Sequence, residues 1–90
     1  MRLDKYLKVS RLIKRRTVAK EVCDAGRIEV NGRPAKAGHD VAVGDEIMIA
    51  LGRRRLKVRV TEVKETVRAE AAASLYEIIE DIKIPEEPLF

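Results

Sequence analysis

The hydrophobic positions change period along the chain. Leu3, Tyr6, Leu7, Ser10 and Ile13 recur at helical spacing with Asp4, Lys5, Lys8 and Arg11 between them, which predicts an amphipathic helix with a basic exposed side. A second helix is expected over about Thr17 to Ala25, with Ala19, Val22 and Cys23 on one face and Gly26 as its stop. After Gly26 the period falls to two. Arg27-Ile28-Glu29-Val30 alternates, Asn31-Gly32 supplies residues that tolerate positive φ, and Arg33 to Lys36 returns, with Pro34 confining that strand to an edge or a very short pairing. Val41 to Val43 is a short apolar segment, Gly44-Asp45 a turn, and Ile47 to Leu51 the expected central strand. Gly52-Arg53 then turns into the alternation of Leu56, Val58 and Val60. Residues 69 to 82 return to helical spacing through Ala72, Leu75, Tyr76, Ile79 and Ile82, with acidic Glu70, Glu77, Glu80 and Asp81 between, and Lys83 to Phe90 reads as an extended tail. The expectation is an α+β domain, with two N-terminal helices on a small, mostly antiparallel sheet over residues 1–64. An acidic C-terminal helix and tail follow over residues 65–90.

Charge gives this architecture a direction. Residues 1–36 carry 11 Lys/Arg against 4 Asp/Glu, and residues 37–90 carry 8 against 11, so the front is about +7 and the back about −3. Such asymmetry suits one face that meets polyanions. Lys14, Arg15 and Arg16 stand at the start of the second helix, where the macrodipole and free N–H groups favour negative charge. A bound phosphate would resolve that conflict by meeting the N–H groups and the arginines together.

Ninety residues leave little apolar material for a deep catalytic cleft. His39 is the single histidine and Cys23 the single cysteine, too few for a disulfide framework, a metal cluster or a nucleophile-base pair. His39 is expected in a surface loop and Cys23 as inert packing. No phosphate-binding glycine loop is present, and no catalytic residue, metal or cofactor is expected. No apolar run approaches a signal or a membrane span, which leads to a cytoplasmic expectation without a membrane partner. Tyr6, Tyr76 and Phe90 are the only rings, and the two tyrosines sit on apolar stripes, so no platform for stacking unpaired bases is foreseen. Backbone recognition of structured nucleic acid fits better. Two helices with a basic second one also suit a helix-turn-helix DNA regulator, although that helix offers only Lys20 among long base-reading side chains. A β-grasp carrier shares the turn pattern but would end in Gly-Gly, where this chain has Pro88-Leu89-Phe90.

Four ordered blocks carry a family resemblance: Arg2-Leu3-Asp4-Lys5-Tyr6-Leu7, Arg15-Arg16-Thr17-Val18-Ala19, Gly26-Arg27-Ile28-Glu29-Val30-Asn31-Gly32 and Val43-Gly44-Asp45-Glu46-Ile47. Together they resemble the S4-type RNA-binding domain, or αL motif. Within that family, the run Arg2 to Thr17 is similar to the stand-alone RqcP-like branch of ribosome-associated quality control, with heat-shock S4-type proteins as relatives. The resemblance implies a non-catalytic, ribosome-associated monomer that contacts rRNA of the stalled large subunit and peptidyl-tRNA. It also implies assistance to the tailing factor RqcH as alanines are added to the blocked chain; generic rescue of large subunits is the alternative. Carried over by position, RNA contact falls first to Arg2, Arg15 and Arg16, with Lys5, Lys8 and Arg11 alongside. Lys14, Thr17, Lys20 and Arg27 complete the expected set. Asp4 is expected to orient neighbouring arginines. Many such domains have a hydroxyl residue where this chain has Arg15, which changes the expected cap of the second helix.

Overall fold

The computed structural model describes residues 1–83. Helix α1 spans Leu3–Val9 and helix α2 spans Arg16–Asp24. They lie over a sheet of β1 (Ile28–Val30), β2 (Arg33–Pro34), β3 (Glu46–Leu51), β4 (Arg54–Val60) and β5 (Tyr76–Lys83). Every pairing is antiparallel and the order is β2-β1-β3-β4-β5. β3 is therefore central, as its apolar run suggests, and Pro34 sits on the edge strand, where its missing N–H costs no ladder bond.

Leu3, Tyr6 and Leu7 are fully buried, and each such side chain contributes about 1.5–3 kcal/mol. They meet Ala19 and Cys23 of α2 and the inward row Ile28, Ile47, Ile49, Leu56, Val58 and Val60 in one core. The expected first helix reaches Ile13, but α1 stops four residues earlier. Ser10 caps it in the αR region, Arg11 takes a positive φ of 62°, and the Arg11 and Ile13 amides donate to the carbonyls of Lys8 (3.1 Å) and Leu7 (3.0 Å). This reversal satisfies the last carbonyls as a left-handed C-terminal residue does, and it still delivers Ile13 to the core.

The Asn31-Gly32 hairpin forms as its sequence suggests, with φ of 53° and 84°. The Asn31 amide group donates to Asp45 Oδ1 (3.1 Å) and its oxygen accepts from the Glu46 N–H (3.0 Å), which ties this hairpin to the Gly44-Asp45 turn.

The C-terminal segment requires a correction. The expected helix over residues 69–82 is realised only as a 3-10 helix, Ala69–Leu75, and from Tyr76 the chain extends as β5 against β4. Lys57 pairs with Glu80 but Val58 pairs with Ile78, so a bulge admits Ile79 as an extra residue. That extra residue shifts the phase of the strand, and a shifted period of two imitates helical spacing. Of the expected tail, Lys83 ends β5, and the remainder lies outside the described residues. The Tyr6 hydroxyl donates to the Leu75 carbonyl (2.6 Å), which anchors this segment beneath α1.

Candidate nucleic-acid interface

Asp4 organises the basic face. It is buried although charged, because helical spacing turns it inward beside Leu3 and Leu7. Its Oδ1 accepts from the Lys5 amide (2.8 Å) and from Arg2 Nε (3.2 Å), and its Oδ2 accepts from Arg2 Nη2 (3.3 Å). Arg16 Nη2, brought in by α2, reaches Oδ1 at 3.5 Å. Burial alone would push the Asp4 carboxyl up; the bonds from Arg2, Arg16 and the Lys5 amide outweigh it and hold the group below the usual carboxylate range. The ionised carboxylate thus fixes two guanidiniums whose side chains remain about half exposed. The Arg2 guanidinium also lies over Gly38.

Helix starts differ across this face. The α1 amides of Leu3 and Asp4 donate to the carbonyls of His39 (2.8 Å) and Ala37 (3.1 Å), so the loop before β3 closes that end. At the start of α2, Arg15 occupies the cap position in extended conformation and makes no side-chain cap bond, and the first turn contains no acidic residue. The departure from a hydroxyl cap leaves cations and amide donors together.

Lys5, Lys8, Arg11 and Arg16 line one groove, and residues 65–67 form its opposite wall. Lys5 pairs there with Glu65, whose carboxyl is held below its ordinary value by the hydrogen bond and charge of Lys5. Lys14, Arg15, Thr17 and Lys20 are exposed at and after the start of α2. Arg27 stands apart, in a separate depression with Ala50, Gly52 and Arg55. The sequence reading missed Glu65 as a groove residue, since no local pattern connects it with Lys5, 60 positions away. It also passed over Arg55, which the run of arginines after Gly52 could have signalled.

Among the described residues, no three His, Cys, Asp or Glu side chains are grouped to hold a metal, and no helix is long and apolar enough to cross a membrane. His39 is exposed, while Cys23 is buried, which pushes its thiol up to about 11. Tyr6 is fully buried and offers no face to a base.

The S4 domain family matches over residues 1–47. An RQC P-site tRNA stabilizing factor of Halalkalibacterium halodurans is 64% identical over 78 residues, covering 87% of this chain and 89% of that protein. The protein of the same name from Bacillus subtilis is 55% identical over 86 residues, covering 96% and 100% respectively. Among solved structures, a trimeric heat shock protein 15 of Vibrio cholerae superposes with a TM-score of 0.81 at 29% identity, covering 87% of this chain and 80% of that one.

Proposed function

The chain belongs to the S4 domain family, and from that premise we propose that it is a non-catalytic RNA-binding factor of ribosome-associated quality control. It engages stalled large ribosomal subunits, contacting rRNA and peptidyl-tRNA through phosphates, and steadies the tRNA while RqcH adds alanines to the blocked chain. The relatives' name, P-site tRNA stabilizing factor, supports the tRNA part of this proposal.

The observation that carries it is the Arg2 and Arg16 pair held on buried Asp4 beside the uncapped start of α2. Guanidiniums fixed before binding lose less side-chain entropy on meeting a phosphate, and their fork matches its oxygens. Phosphate contacts position RNA without reading bases, which suits a factor that holds tRNA whatever its anticodon.

Co-sedimentation with large subunits tests the assignment. An Arg2→Ala/Arg16→Ala double variant should bind more weakly, and the dependence of log affinity on log salt should lose about 0.9 per duplex phosphate contact removed. Undiminished sedimentation of the folded double variant would refute it. The likeness to heat shock protein 15 favours a second reading, rescue of large subunits without tailing. A pull-down from cells with stalled translation separates the two: recovery of subunits with tRNA and RqcH supports tailing, and recovery of subunits alone supports general rescue.

A further inference from the structure

We infer that the β3–β4 hairpin tip is a second RNA-contact surface, built by Arg27, Arg53 and Arg55 on the far end of β4 from the helical groove. The inference rests on the RNA-binding reading above.

The outward face of the sheet shows where this surface begins. Near the Val60 end, charges on that face balance: Glu46 meets Lys57 (3.3 Å) and Arg59 (3.5 Å), Arg59 also meets Glu77 (3.5 Å), and Lys57 stands opposite Glu80. Balance fails toward the tip. The Ala50 amide donates to the Arg27 carbonyl (2.9 Å) and Ala50 pairs across with Arg55, whose other neighbour is Ile82. This row therefore holds two arginines and no acid, separated by a small residue, with about 10 Å between their backbones. Arg27, Ala50, Gly52 and Arg55 line one depression.

The tip is also preorganised. Two residues, Gly52 and Arg53, connect β3 to β4, and Gly52 supplies the positive φ of 55° that the tight turn needs. Arg55 Nη1 donates to the carbonyls of Gly52 (3.0 Å) and Arg54 (3.2 Å), so one edge of its guanidinium is held and the other remains for a ligand. Arg54 is excluded from the set because Asp81 takes it in a bidentate pair, both bonds at 2.8 Å. The fixed Arg55 fork beside a small-residue floor, with Arg27 across it, matches phosphate oxygens. An acidic protein is the competing occupant, since Leu51 and Ile82 leave exposed aliphatic surface beside these arginines, but protein hot spots favour aromatic anchors and the tip offers no aromatic side chain among the described residues.

Position makes this surface additional to the first. β4 holds about 20 Å between Arg54 and Val60, beyond a Debye length at physiological salt, and the groove beside α1 lies toward the Val60 end, where Leu75 accepts from Tyr6 and Thr61. α1 packs on the inward face, whereas Arg27 and Arg55 alternate outward. Two RNA segments can therefore be held on opposite sides of the sheet.

Binding of the whole protein to purified large subunits and, separately, to deacylated tRNA, titrated with salt, tests the inference. The variant Arg27→Gln/Arg53→Gln/Arg55→Gln, checked for an unchanged thermal transition, should bind at least one probe fivefold or more weakly, with a salt slope lower by about 2–3. Arg2→Gln/Arg16→Gln serves as the reference. If the reference variant loses binding and the tip variant retains both affinities and slopes, the second surface is refuted and the RNA-binding reading stands. If neither variant changes either probe, the RNA-binding reading itself fails. Retained RNA binding with loss of an acidic protein from the complex would overturn the inference in favour of a protein surface.

Discussion

Replacing Asp4 by Asn separates two accounts of the basic face, because they predict opposite signs. The substitution keeps the side-chain shape and removes one negative charge from beside Arg2 and Arg16. If affinity followed total charge, the variant would bind RNA more tightly. For a phosphate about 8 Å away that gain is at most about twofold once water and salt screen it. If Asp4 acts by holding the arginines, both are freed and must be immobilised again on binding. That costs about 2- to 10-fold for each side chain, or about 4- to 100-fold for the two. Stability should fall as well. Asn keeps one acceptor for the Lys5 amide but turns donors toward Arg2, and with half-exposed partners the loss is about 1–2 kcal/mol, a fall of about 4–15 °C in Tm. Fluorescence anisotropy with labelled tRNA at fixed salt, run on the folded variant, reads the sign; unchanged or tighter binding would refute the positioning role. pH provides a second check. A carboxyl depressed on folding contributes stability above its unfolded value near 4, and that stability is lost as pH falls through the folded value. The variant should therefore show a shallower acid-side loss of Tm than the parent.

Other contacts give equally direct expectations. Tyr6→Phe should cost about 0.5–1.5 kcal/mol and no more, because the Leu75 carbonyl still accepts from the Thr61 (2.9 Å) and Glu62 (3.2 Å) amides; a thermal melt showing a much larger loss would mean that the hydroxyl does more than join α1 to the end of the 3-10 helix. Cys23, with its thiol raised to about 11 by burial, is ionised roughly one part in a thousand at pH 8. Its alkylation by iodoacetamide should follow unfolding, and prompt native-state labelling would contradict the packing. Glu65→Gln removes an acidic group from the groove and releases Lys5, so tRNA affinity should rise a few-fold; weaker binding would show that Glu65 holds Lys5 in its RNA-bound position.

Local signals make much of the fold legible in the sequence. Asn31-Gly32 specifies a two-residue hairpin by its tolerance of positive φ, Pro34 restricts its strand to an edge, and the apolar run of β3 marks a strand covered by neighbours on both sides. Each of these depends on residues adjacent in the chain. Residues 76–82 were not legible in the same way, because a bulged strand and an amphipathic helix place apolar residues at similar intervals. The open edge of β4, which needs partners for its backbone groups, selects the strand.

The candidate interface divides on the same physical line. Sequence alone determined which residues are basic, their concentration in the first 36 positions, the helices that carry them and the absence of a hydroxyl before α2. Only the tertiary structure decided how they are grouped. It turned Asp4 inward so that arginines 14 positions apart share one carboxylate, set Glu65 against Lys5, and carried Arg27 away to join Arg55. Propensity and period act over a few residues, whereas burial and charge pairing act on whatever the chain brings within reach, and the closing of the sheet around α1 sets that reach.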